Sequence, residues 1–107
     1  TMMFSAITVG AMTSEVDGKL YTRNPIISAP QGYAWTMGFQ TITATCSVSK
    51  EGYETETVSV SNKDCSTVET AWVTGPTWEA AGTTFKSTHT GYSVKGVYQT
   101  LTASKEY

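Results

Sequence analysis

Residues 33–49 read YAWTMGFQTITATCSVS, and the alternation in this stretch decides the fold class. In its first half Tyr33, Trp35, Met37 and Phe39 alternate with Ala34, Thr36 and Gly38. A two-residue period sends successive side chains to opposite faces, so the segment is expected to be a strand that buries its large residues. In the second half Ile42, Ala44, Cys46 and Val48 alternate with Thr43, Thr45, Ser47 and Ser49. The apolar phase is now the opposite one. One residue must therefore be absorbed near Gln40-Thr41, either by a β-bulge or by a bend at which the strand crosses between two sheets.

Working outward, Lys50-Glu51-Gly52-Tyr53 reads as a turn and Glu54 to Ser61 as a returning strand with Val58 and Val60 inward. Asn62-Lys63-Asp64 is a further turn. In Cys65 to Thr74, Val68/Trp72 and Ala71/Val73 compete for the core, which leaves the facing open. After Gly75-Pro76 and Ala80-Ala81-Gly82, Thr83 to Thr90 alternates around Phe85, Ser87 and His89. A last strand from Tyr92 to Ala103 is expected to carry a bulge at Gly96. Upstream, Phe4 to Val16 is expected to turn at Asp17-Gly18 into Lys19 to Thr22, since Asp-Gly suits a type I′ hairpin. Pro25 and Pro30 bracket the next connection. The three Gly-Tyr pairs, at Gly32, Gly52 and Gly91, are each expected to open a strand. No helical stripe competes. The expectation is one all-β domain over residues 1–107, an antiparallel β-sandwich of seven or eight short strands, with a small β-barrel as the alternative.

Composition agrees. Thr and Ser supply 31 of 107 residues, and Thr packs well on a pleated surface. Seven basic residues face nine acidic ones without a Lys/Arg cluster, so nucleic acid is not an expected partner. No apolar run reaches the roughly 18 residues that a membrane-spanning helix needs. A chain that begins at Thr1 rather than Met is expected to be a processed, exported form. Cys46 and Cys65 match neither a CxxC redox motif nor a zinc cluster, so a disulfide is expected between them. Such a bond would contribute about 3 kcal/mol and would imply an oxidising compartment.

Candidate sites are few. Trp78, between Pro76 and Gly82 and next to Glu79, has little reason to be core, and strand alternation places it at the same end of the domain as Tyr53. Trp78, Tyr53 and Glu79 are therefore the candidate binding residues, for stacking on a sugar or anchoring a protein. His89 is the single histidine, so any His-dependent hydrolase triad would rest on it, but no nucleophile motif surrounds it. Glu51, Glu54 and Glu56 cluster at one turn without the spacing of a calcium loop, and neither a metal nor a cofactor is expected. Outward Thr43, Thr45, Thr55 and Thr57, with Ser47 and Ser59, would form a hydroxyl array of a kind known in ice-binding proteins, although Thr-rich faces are also ordinary in secreted sheets.

From Ser87 onward, Ser87-Thr88-His89-Thr90-Gly91-Tyr92 followed by Tyr98, Leu101-Thr102-Ala103-Ser104 and Tyr107 resembles the closing segment of small exported Thr/Ser-rich β proteins of Gram-positive bacteria. The resemblance implies an extracellular β domain and carries no catalytic residues. The functional expectation is a non-enzymatic extracellular or cell-surface binding module for a protein or glycan. A secreted inhibitor, effector or bacteriocin-like protein is the alternative, and a His89 hydrolase the second.

Overall fold

The computed structural model describes the backbone of residues 3–9 and the whole of residues 15–107. These form β1 (Met3–Val9), β2 (Asp17–Asn24), β3 (Gln31–Met37), β4 (Phe39–Ser49), β5 (Glu56–Asn62), β6 (Thr67–Glu69), β7 (Val73–Thr74), β8 (Thr84–Tyr92) and β9 (Tyr98–Glu106). Both β6 and β7 pair antiparallel with β3, at its two ends, and act as one interrupted strand. Eight antiparallel strands thus make two sheets that do not close into a barrel: β1-β2-β3 with β6/β7, and β5-β4-β8-β9. The architecture is that of a β-sandwich, as the alternation implied.

The expected facing of β3 is overturned. Gly32, Ala34, Thr36 and Gly38 are buried, followed by Ile42, Ala44, Cys46 and Val48, so one parity faces the core on both sides of Gln40, which is itself exposed. Tyr33, Trp35 and Met37 lie half-buried on the outer face, and Phe39 is exposed. The reason is volume. The second sheet drives Phe85, His89 and Ile42 into the interior, and all three are fully buried. A Cβ on Gly32 would come within 2.7 Å of the Phe85 ring. Interiors pack as densely as organic crystals, so the opposing face has to be small wherever these large groups arrive.

Outside, the displaced aromatics pack on one another. Tyr21 and Tyr33 stack at 4.9 Å, Trp72 meets Tyr33 edge-on at 4.6 Å, Arg23 covers Trp72 at 4.0 Å and Lys19 lies over Trp35 at 5.4 Å. Arg23 Nε also donates to Gln31 Oε1 at 2.7 Å.

Of the two devices expected near Gln40, the crossing between sheets is present, whereas the irregularity beside it takes up two residues rather than the expected one. The chain crosses from the first sheet to the second at Gly38, and the β4–β8 register then shifts, four residues from Phe39 to Thr43 opposing two from Tyr92 to Thr90. Gln40 takes φ 58° there. A surplus of two residues preserves parity, which is why the inward phase never changes. The competition within 65–74 has the opposite explanation. Trp35 pairs with Glu69 but Gly32 with Val73, so one extra residue is inserted at Ala71-Trp72, and inward Val68 and Thr70 give way to inward Val73.

Other local expectations are corrected. Asp17 and Gly18 lie inside β2, opposite Met37 and Thr36, rather than in a hairpin turn. The strand expected over Phe4 to Val16 is β1 as far as Val9, and residues 10–14 lie outside the described residues. Gly32-Tyr33 stands at the start of a strand, whereas Gly52-Tyr53 lies in the turn before β5 and Gly91-Tyr92 closes β8. Gly96 is no bulge; it sits at φ 82° in the β8–β9 turn, its N–H donating to Ser93 O at 2.9 Å.

The expected Cys46–Cys65 disulfide is absent. Cys46 is buried at mid-β4 opposite Val58, while Cys65 is exposed beyond the end of β5, its thiol donating to Thr67 O at 3.1 Å. Asn62, the last residue of β5, pairs with Ile42, four residues from Cys46. At about 3.3 Å per residue that offset is ~13 Å along the strand, well beyond the roughly 7 Å between Cα atoms that a disulfide tolerates. The argument for an oxidising compartment from this bond falls with it.

Candidate functional site

One end of the sandwich gathers the candidate residues. Lys50 follows β4, and the N–H of Tyr53 returns to its carbonyl at 3.0 Å, with Gly52 supplying φ 87°. Lys50 Nζ donates to Thr77 Oγ1 at 2.6 Å and to the Glu79 carbonyl at 2.9 Å. The turn that carries Tyr53 is thereby tied to the β7–β8 connection that carries Trp78 and Glu79. The N–H of Gly75 donates to Pro30 O at 2.8 Å, which ties in the β2–β3 connection. On the far side, Gly82 N–H donates to Tyr107 O and Tyr107 N–H to Thr83 O, both at 3.0 Å. Three connections are fastened together.

These connections present apolar side chains outward. Trp78 is 66% exposed and Tyr53 52%, so both rings are accessible at the end that also holds Glu79. The Glu79 carbonyl serves in the Lys50 clamp, and the residue is exposed. A pair that the sequence reading passed over stands out more. Ile27 is 92% exposed, and Ile26 adopts φ 70°.

The N–H of Ile27 donates to Pro25 O at 2.8 Å and closes a three-residue γ-turn centred on Ile26. Asn24 Oδ1 accepts from the N–H of Ile26 at 3.3 Å. Positive φ at a β-branched residue costs roughly 1–2 kcal/mol, so this γ-turn is a strained one. The available signal was Pro25-Ile26-Ile27 itself: two apolar β-branched residues between prolines, where no strand needs them.

The surroundings are acidic. Glu51 and Glu54 flank Tyr53 in the chain, and both are exposed, as are Glu56 and Glu79. Among the described residues no group of three or more His, Cys, Asp and Glu side chains could hold a metal ion.

His89 lies elsewhere, sealed between the sheets. Its Nδ1 is 2.9 Å from Thr36 Oγ1 and its Nε2 is 2.7 Å from Ser87 Oγ. Burial pushes its pKa down to about 4, against the smaller opposing pulls of a backbone hydrogen bond at Trp35 and the charge of Asp17. Ser87 beside the ring is the right kind of group for a nucleophile. A threonine rather than a carboxylate holds the other nitrogen, however, and ring and both hydroxyls are buried away from any substrate.

The aromatic face of the first sheet is not a free stacking platform either. Tyr21 and Tyr33 cover each other, Arg23 caps Trp72 and Lys19 caps Trp35. No family model, curated protein or solved structure matches this chain.

Proposed function

We propose that this protein is a non-enzymatic extracellular or cell-surface binding module that docks a protein partner through the loop end carrying Ile27, Trp78 and Tyr53. One observation carries the reading: large apolar side chains are exposed on three connections that are hydrogen-bonded to one another. Tethered loops lose little further freedom on binding, so little of the contact energy goes into ordering them. Aliphatic Ile27 offers no ring face to a sugar, and this favours a protein pocket over a glycan. The carboxylates nearby suit a basic rim around that pocket.

Capture from cell-envelope extracts on immobilised protein tests the reading, with an Ile27→Ser/Trp78→Ala variant and Lys95→Ala in the β8–β9 turn as control. A defined protein retained by the parent and by the control but lost from the double variant is the expected result. Anchors of this kind contribute about 2 kcal/mol or more each, or at least ~30-fold in affinity. Retention of chitin, cellulose or peptidoglycan that depends on Trp78 would replace the protein partner with a glycan. Equal retention by all three proteins would remove the loop end as the site.

A further inference from the structure

The outer face of the β5-β4-β8-β9 sheet carries a pattern independent of the loop end. Its strand registers align in rows: Ser61, Thr43, Thr90, Thr100; then Ser59, Thr45, Thr88, Thr102; then Thr57, Ser47, Lys86, Ser104. Eleven of these twelve positions are Thr or Ser, and the twelfth is Lys86. Every one is half-buried or exposed, on the side of the sheet opposite the core. The hairpin seen in the sequence contributes only half of this lattice. The rest comes from β8 and β9, some 40 residues further along the chain.

The rows have two fixed repeats, about 4.8 Å from strand to strand and ~6.7 Å between every second residue along a strand. Thr has a stiff χ1, so each threonine presents a methyl and a hydroxyl in a set direction at little entropic cost. Two of the hydroxyl pairs are held further, Thr43 Oγ1 donating to Ser61 Oγ at 3.2 Å and Thr45 Oγ1 standing 2.9 Å from Ser59 Oγ. Between β8 and β9 there is only a shallow depression of about 390 Å³, lined in part by Lys86, Thr88, Thr102 and Ser104. The next row of the same face is aromatic, Phe39 beside Tyr92 and Tyr98, so the hydroxyl grid ends there; within its three rows no ring rises and Lys86 is the one charge. Short hydroxyl groups on such a grid do not single out a discrete small ligand. They suit a partner that is itself periodic and built from hydrogen-bonding oxygens with apolar gaps between them.

We propose that this face binds ice. Lattice oxygens at an ice surface repeat on the scale of the strand spacing, and a grid of methyl and hydroxyl groups can hold water in matching positions and merge with that lattice. Sheet twist of about 20° per strand limits the match to the central rows, so Thr45 and Thr88, paired across β4 and β8 in the middle row, carry the contact.

The test uses the purified full chain in two assays, incorporation into a slowly grown ice hemisphere and inhibition of ice recrystallisation. Thr45→Tyr and Thr88→Tyr each raise a bulky ring from the grid at a solvent-facing position, and unchanged urea midpoints establish that both still fold. The parent and Lys63→Ala, in the β5–β6 turn, are expected to enter ice and to inhibit recrystallisation, and the two tyrosine variants to be weaker by about tenfold or more. Exclusion of the parent from ice to the same extent as an inert globular protein would overturn the proposal. So would equal activity of all four proteins, or adsorption to crystalline chitin or cellulose, in place of ice, that the two tyrosine variants lose. None of these outcomes bears on the loop end.

Discussion

Gly18 lies directly against the ring of His89: a Cβ built on Gly18 would stand 2.3 Å from the imidazole Cγ. Gly18 also pairs with Thr36, whose hydroxyl is bonded to the same ring, so strand register, hydrogen bond and close approach meet at one point between the sheets. Gly18→Ala is expected to destabilise the fold by about 1–3 kcal/mol through overpacking. Combined with His89→Ala, which vacates the space, the same substitution should cost well under 1 kcal/mol, a coupling that denaturant midpoints of the four proteins would reveal.

Acid should weaken the protein through the same histidine. A histidine in the unfolded chain titrates near 6.5, whereas folded His89 is pushed down to about 4, so between those pH values the unfolded chain takes up a proton that the folded chain refuses. The stability due to neutral His89 is complete above pH 6.5 and falls as the pH drops through this window, by about 3 kcal/mol in total. Urea titrations from pH 7 to pH 4 should show this loss, and a His89→Gln variant should lack that part of it. Imidazole resonances that stay in the neutral form at pH 5 would give the same answer without a variant.

The two thiols should differ sharply. Burial pushes the Cys46 thiol up to about 12, while Cys65 is exposed. Only the thiolate is nucleophilic, so iodoacetamide should label Cys65 alone in the native protein and both cysteines in urea. The intact mass without reductant should equal that with it. A mass lower by two hydrogens would show a bond that this fold does not accommodate.

Relief of the γ-turn should stabilise the chain. Ile26 is exposed and holds φ 70°, a conformation that glycine adopts without a Cβ clash. Ile26→Gly is expected to gain about 0.5–1 kcal/mol after the entropy of the unfolded glycine is counted, a rise of a few degrees in Tm. A fall of similar size would mean that the turn is not strained in solution.

The loop end was partly legible. Trp78 could be singled out because a large aromatic in a Pro/Gly-bounded connection has no strand to complete, and Tyr53 because strand alternation put it at the same end; both are exposed. Glu79 was found for its position, yet it acts in the clamp through its carbonyl, a backbone group that no residue pattern marks. Ile26 and Ile27 went unnoticed because an apolar pair in a short connection resembles a strand end until its backbone angle is seen.

Alternation and turn residues by themselves determined the class of fold, the inward set Ile42, Ala44, Cys46 and Val48, and the turn at Lys50-Glu51-Gly52-Tyr53. A period of two is a local property and survives in any tertiary context. It separates two faces without saying which is inside, and on β3 the choice fell to the smaller one because Phe85 and His89 arrive from the opposite sheet. The distance between Cys46 and Cys65, the extra residue at Ala71-Trp72 and the hydroxyl rows across four strands were likewise decided by the tertiary structure. Each depends on how strands distant in the chain are set in register.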